Sequence, residues 1–395
     1  MGRYISMKKA SLCALAWGAL LNVGIAMVGA ESPNSLPQAM EAAMLVNEPT
    51  FGQSEVLLMG KNLFLMDGNK AKSKGAQPSS NISKTVNQRQ VISKAVDLAK
   101  AGLTDEELRM FMSNKPASYY KGQFWRLDMA NVDELPRNFR MSQSSFKEAL
   151  VKGESISSLP SREGLDDLHI SGSGEPSADG MKALVAAIRK EAGNRPIYIV
   201  DLRQESHGYV NGTAISWYGK RDWGNIEKTQ EQAIVDENKL LQGIEGKEIS
   251  IYKINKKKEP IDPQIMQVNT VQTEKEMAKV NGIHYVRIAV TDHLPPTREE
   301  IQRFVTFVNH LPKDAWVHFH CEAGKGRTTT FMAMYDMMRN PKVPFETILQ
   351  RQYLLGGEHL DVKGQVSSTN SWDTNAKIER RQVLWNFYQR LHGMK

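Results

Sequence analysis

The segment His320-Cys321-Glu322-Ala323-Gly324-Lys325-Gly326-Arg327-Thr328 places a cysteine and an arginine six residues apart, with two glycines between them. An apolar run, Ala315–Phe319, precedes the segment, and a helical pattern over Thr328–Met338 follows it. Between a strand and a helix, this spacing makes a loop whose backbone N–H groups turn inward beside the positive end of the helix dipole, a cradle for a tetrahedral dianion. Gly324 and Gly326 permit the unusual dihedrals and close backbone approach, and Arg327 can fold back to bind two phosphate oxygens. In such a nest the Cys321 thiolate is favoured, Thr328 can donate to the sulfur, and the chemistry is attack of sulfur on phosphorus. The alternatives for these residues are a buried inert thiol beside a turn and a phosphate-binding loop without turnover.

The elements around the loop alternate. Helical signals fall at about 178–192, 228–241, 301–308 and 378–391, and strand signals at 197–200, 249–254, 265–271, 285–290 and 315–320. Capping-box spacings at Thr104/Glu107, Thr273/Glu276 and Thr297/Glu300 mark three helix starts. Strands alternating with helices predict an α/β fold with a mostly parallel sheet flanked by helices, and the segments at about 245–272 predict a small β-rich appendage. Residues 67–90 read as a flexible polar connection within an N-terminal extension, 31–115, ahead of a catalytic domain at 116–395. Thr291-Asp292-His293-Leu294-Pro295-Pro296 follows a strand, so it lies at a carboxyl end, where α/β sites gather.

At the amino terminus, Arg3, Lys8 and Lys9 precede an apolar run to Val28, with small residues up to Ala30, the pattern of an export signal cleaved near Ala30. A retained membrane anchor is the alternative for this run, and no other segment approaches a membrane span. Of 51 Lys and Arg against 44 Asp and Glu, the segment 1–30 carries three cations and no anions, so the remainder has a formal charge of +4. That small excess gives no argument for a nucleic-acid partner. Cys13 leaves with the segment and Cys321 is then the only thiol, which excludes an intramolecular disulfide.

The loop resembles the signature of the tyrosine-phosphatase-like cysteine phosphatases, and within them the bacterial phytases that act on inositol polyphosphates. The resemblance also includes Trp125-Arg126-Leu127-Asp128, Pro136–Arg140, Asp201–Gly208, Trp217–Gly219 with Arg221-Asp222-Trp223, and Thr291-Asp292-His293, and so covers about 120–390. It implies a cysteinyl-phosphate route with Cys321, Arg327 and Thr328 at the loop and Asp292 as general acid, without cofactor. It also implies substrate contacts from Arg126, Asp222 and His293, from the loop residues Glu322, Ala323, Gly324, Lys325 and Gly326, from Lys257 and Lys258, and, by a looser match, from Arg381 or Arg380 on the last helix. His320 is expected to order the loop by hydrogen bonding.

Each rim residue has a plainer reading. Asp292 can open a helix, His293 can be a solvated loop residue, Lys256–Lys258 a solvated turn, and Arg126 an ion-pair partner of Asp128. Arg137 and Arg140 read as structural. His318 and His320 share a strand face, but two histidines without a third ligand do not make a metal site. The expected partner is a small polyanion, an inositol polyphosphate. A secreted tyrosine or phosphoinositide phosphatase, or a non-catalytic inositol-phosphate binder, would use the same loop.

Overall fold

The computed structural model describes residues 80–147, 150 and 159–394. The expected export segment at 1–30 lies outside the described residues. Among the described residues no helix is long and apolar enough to cross a membrane.

The chain enters through helix α1 (Ser80–Ala99) and helix α2 (Asp105–Phe111). Helix α1 starts inside the stretch expected to be a flexible connection. Its Ala95 and Leu98 are buried in the main core, so the compact unit begins well before residue 116. Thr104 and Glu107 close the expected capping box at α2, an arrangement worth about 1 kcal/mol. Just before it, Leu103 accepts from Arg298 N at 3.0 Å and donates to Pro296 O at 3.1 Å. The N-terminal extension thereby braces the chain that leaves Asp292.

Strands β1 (Gly122–Met129), β2 (Arg140–Met141) and β3 (Ile170–Ser173) lead to helix α3 (Ala178–Ala192). Strand β4 (Ile197–Arg203), the hairpin β5 (His207–Val210) and β6 (Thr213–Gly219), and helix α4 (Gln230–Gln242) follow. Then come β7 (Glu248–Ile254), β8 (Pro260–Gln267), β9 (Val271–Gln272), α5 (Glu274–Val280), β10 (His284–Val290), α6 (Arg298–His310) and β11 (Trp316–His320). Helices α7 (Gly326–Arg339), α8 (Phe345–Leu354) and α9 (Trp372–Leu391) complete the unit.

Five strands form a sheet in the order β10-β4-β11-β3-β2, parallel except for the β2 edge. Every residue of β4 and β11 is buried, as expected for a parallel sheet covered on both faces. Alternation sorts their side chains. Val200, Leu202, Val317 and Phe319 face a core with Phe304 of α6 and Phe331 of α7, while Ile197, Ile199 and Trp316 face Met181, Leu184 and Ile188 of α3. Each fully buried side chain of this size contributes about 1.5–3 kcal/mol. On the α3 face the pattern turns polar toward the carboxyl ends, where Asp201, Arg203, His318 and His320 lie buried.

The expected β appendage at 245–272 is not free-standing. Strand β7 pairs in parallel with β1, and the whole forms a six-stranded sheet in the order β8-β7-β1-β6-β5-β9. This second sheet brings Arg126 and Asp128 of β1 and His207 of β5 to the polar end of the first.

Candidate active site

Strand β11 is central in its sheet, with His320 opposite Asp201 on one side and Ser173 on the other. Cys321 therefore leaves the sheet at its carboxyl edge, and α7 starts five residues later. Three loop carbonyls are drawn outward by one segment: Arg137 Nη2 donates to Glu322 O at 2.7 Å, Asn138 Nδ2 to Ala323 O at 2.8 Å, and Arg140 Nη1 to Gly324 O at 2.8 Å. Among the described residues the amides of Glu322, Ala323, Gly324 and Lys325 donate to no protein acceptor, an arrangement suited to an anion nest. At Gly324, φ is +72° and a Cβ would lie 2.3 Å from Gly174 N, so no other residue fits. Cys321 is 3% exposed, and Thr328 Oγ1 donates to its Sγ at 3.2 Å.

Arg327 is buried and held bidentately by Glu205 at 2.7 and 2.9 Å, with a third bond to Val290 O at 3.1 Å. Its Nη2 also lies 3.1 Å from Asp292 Oδ1. Burial pushes the Asp292 carboxyl up, yet Arg327 and then His293 outweigh it and leave it below its ordinary value. Trp223 Nε1 donates to Asp292 O at 2.8 Å, and Arg380 Nη2 to His293 O at 2.6 Å, which fixes the Asp292 loop from two sides.

On the rim, Arg126 pairs with Asp128 at 2.6 Å and with Asp222 at 2.8 Å, and among the described residues its buried Nη2 has no hydrogen-bond partner. Asp222 Oδ1 is likewise unpartnered. Burial, reinforced by Glu205 and Asp292, outweighs Arg126 and pushes the Asp222 carboxyl up to about 7. Arg221, Asp222 and His293 all adopt left-handed backbone, with φ of 62°, 63° and 63°, a strain of about 1 kcal/mol or more each. Arg221 is held there by stacking over Trp372 and Trp223 at 4.1 and 4.8 Å. Glu322 pairs with Arg137 and lies 3.8 Å from Arg126 Nη2.

Other expected contacts are arranged differently. Arg381 points away, to Asp361 Oδ1 at 2.6 Å, whereas the neighbouring Arg380 is buried and would sit 3.1 Å from a Cβ on Gly326. Residues one apart on a helix diverge by about 100°, so only one of the pair can face the loop. Lys325 folds back to Gly356 O at 2.7 Å, and burial lowers its pKa. Lys257 and Lys258 are exposed at the β7–β8 turn, and among the described residues no hydrogen bond or ion pair joins their side chains to the loop. Among the described residues the His320 ring makes no hydrogen bond to the loop. Its nitrogens lie 3.4 Å from Glu175 and 2.7 Å from Glu274, close ion contacts without hydrogen-bond geometry.

Beneath the loop these contacts extend into a buried ion network. Arg203 binds Asp128, Glu175 and Glu205, Arg287 binds Asp201 and Glu237, and Glu274 lies between His207 and His320. The groups Glu175/Glu274/His320 and Asp201/His207/Glu274 have the donors of a metal site. Their spacings of 2.7–3.4 Å suit imidazolium–carboxylate pairs, because both nitrogens of each ring lie close to a carboxylate. Burial opposes the charge on His207, yet Asp201 and Glu237 help hold its pKa up to about 10.

A family model described as PTP-like phytase, inositol hexakisphosphate, matches residues 200–339. The structure of a PTP-like phytase from Bdellovibrio bacteriovorus aligns at 32% identity and TM-score 0.54, covering 69% of this chain and 90% of that one. The chain belongs to the PTP-like phytase family. A PTP-like myo-inositol phosphatase from Mitsuokella multacida, solved in complex with myo-inositol-(1,3,4,5)-tetrakisphosphate, aligns at 41% identity and TM-score 0.65, over 69% of this chain and 47% of that one. The effector protein hopD2 of Pseudomonas syringae pv. tomato is 30% identical over 238 residues, 58% of this chain and 49% of that protein. The chain thus spans about half the length of these last two relatives. Within the PTP-like phytase fold, sequence reasoning missed Glu205, which anchors Arg327, and the carbonyl clamp from Arg137, Asn138 and Arg140. The density of charge in Asp201-Leu202-Arg203-Gln204-Glu205, where an otherwise apolar strand ends, was the signal available.

Proposed function

We propose that this chain is a cysteine-dependent phosphatase that removes phosphate from inositol hexakisphosphate and lower inositol phosphates. The observation that carries the reading is the loop itself: amides of residues 322–325 with no acceptor among the described residues, three carbonyls held by Arg137, Asn138 and Arg140, and Thr328 bonded to the Cys321 sulfur. A family member at 41% identity, solved with an inositol tetrakisphosphate, supports the substrate class.

In this reading the Cys321 thiolate attacks phosphorus while the bond from phosphorus to the ring oxygen breaks, and Asp292 gives its proton to that oxygen. The loop amides and Arg327 stabilise the equatorial oxygens. Asp292, now a carboxylate, takes a proton from water, and the resulting nucleophile cleaves the cysteinyl-phosphate, which releases phosphate and returns the thiolate. Arg126, Asp222 and His293 would meet the phosphates that are not being cleaved. Arg380 would take the place expected for Arg381, and Lys257 and Lys258 would reach outlying phosphates from their turn. Residues 1–30 would direct export.

The test is phosphate release by the purified full chain from inositol hexakisphosphate, a phosphotyrosine peptide and a phosphoinositide. Release is expected from the first, and Cys321→Ser should abolish it while binding survives. A wild-type chain that releases phosphate from none of the three would overturn the enzyme reading. A preference for the phosphopeptide would move the substrate class.

A further inference from the structure

Behind the segment that anchors Arg327 lies a cleft of about 370 Å³ that no step above uses. Its lining includes Lys121, Lys228, Lys239, Trp217, Ser206 and Asn225, and the volume falls within the range of small-molecule sites. The centre is built. Lys228 Nζ is held by Asn225 Oδ1 at 2.8 Å and Asp236 at 2.9 Å, and buried Asn225 in turn donates to Gln204 O and Ser206 Oγ at 2.9 and 3.0 Å. The flanks differ. Among the described residues, the ammonium groups of Lys121 and Lys239 have no hydrogen-bond or ion-pair partner. With Asp236 offsetting one lysine, the cleft keeps an excess of two positive charges over an indole surface.

We propose that this cleft binds a small phosphate-bearing anion, at a site separate from the catalytic loop. Inorganic phosphate and a phosphate ester share the required chemistry: several oxygens to accept from lysine ammonium groups, and negative charge to meet the excess. The location gives the site a consequence. Ser206 adjoins Glu205, the bidentate partner of Arg327, while Gln204 Oε1 accepts from Thr291 Oγ1 at 3.0 Å, one residue before Asp292. An anion in the cleft thus rests against the chain that positions both groups.

The test uses the full-length Cys321→Ser chain, with and without the further pair Lys121→Ala and Lys239→Ala. Inorganic phosphate and myo-inositol hexakisphosphate are titrated separately, and amide hydrogen exchange reads the site. Protection at 204–206 and 224–228 is expected in the Cys321→Ser chain, and binding there should weaken about tenfold or more in the lysine variant, the loss of two partly screened charge contacts. Protection at 321–327 should be equal in both. Protection by phosphate alone assigns the site to the inorganic ion, and protection only by the hexakisphosphate assigns it to an ester. If neither probe protects 204–206 and 224–228, or if the lysine pair makes no difference there, the proposal is wrong. Phosphate release by the wild-type chain is a separate measurement, so its failure would remove the enzyme reading and leave the cleft standing.

Discussion

Arg327 Nη2 and Asp292 Oδ1 stand 3.1 Å apart, so the cation that would hold the phosphoryl group also holds the expected proton donor. A carboxylate kept below its ordinary pKa is a poor acid. A bound phosphate dianion changes that balance, because it engages the Arg327 donors and places negative charge beside Asp292, and both effects raise the pKa of Asp292. The falling limb of kcat should therefore lie at higher pH than that of kcat/KM. Asp292→Asn should lower kcat by about 10²–10⁴-fold, the usual worth of a general acid, and remove the limb. Coincident limbs in kcat and kcat/KM would break the link between phosphate binding and the acid.

Asp222 predicts a second pH effect. Its carboxyl is pushed up to about 7, and its unpartnered Oδ1 can donate to a phosphate oxygen only when protonated. KM should rise as the pH climbs through about 7, where the proton is lost and the carboxylate repels the substrate. Asp222→Asn keeps a neutral donor and should flatten KM between about pH 6 and 8. A KM profile equally steep in the variant would exclude Asp222 as the titrating group.

Local signals were legible in the sequence, and long-range partners were not. The capping boxes at Thr104, Thr273 and Thr297 are present as the spacing predicts, because each is settled within four residues. The Cys321 loop follows a buried strand for the same local reason. What Arg327 and Arg140 touch depends on chain that is far away in sequence, 122 residues to Glu205 and 184 to Gly324. The choice between Arg380 and Arg381 turns on helix phase, which a family likeness located only to within one residue. Strand β1 reads as a motif, and its place between β6 and β7 comes from tertiary pairing.

The carbonyl clamp predicts a defect of loop shape. Arg140→Ala leaves Gly324 O and Thr329 Oγ1 without their guanidinium, at a cost of about 1–3 kcal/mol for a buried acceptor left unpaired. Phosphate release should fall by an order of magnitude or more, and orthovanadate should bind more weakly. Unchanged vanadate affinity would show that the nest holds its shape without Arg140.

The two arginines of the last helix should separate cleanly. Arg380→Ala frees the His293 carbonyl and removes a cation beside Gly326, so kcat/KM for inositol hexakisphosphate should drop by about tenfold or more, as a lost charge-assisted contact predicts. Arg381→Ala breaks a partly exposed pair with Asp361, and such pairs are worth about 1 kcal/mol or less. It should leave kcat/KM within about threefold of wild type. The opposite ranking would mean that the last helix presents its other face to the substrate.

The ion network under the loop makes stability fall on both sides of neutrality. Burial opposes ionisation of Glu175, but Arg203 and His320 hold it down to about 2, and Asp201 and Glu205 also lie well below their ordinary values. A lowered carboxylate stabilises the fold above its unfolded pKa, and that contribution disappears as the pH falls toward its folded value. His207 acts in the opposite sense. Raised to about 10, it stabilises fully below its unfolded value of 6.5, and the contribution is lost as the pH rises through about 10. Thermal unfolding followed by circular dichroism should therefore show Tm falling below about pH 4 and again from about pH 6.5 up to about 10. His207→Gln should lower Tm at pH 6 and shrink the alkaline decline, because the variant has no proton to lose there. If wild-type Tm stays level from pH 7 to 10, His207 is not an imidazolium, and the carboxylates around it need another source of positive charge.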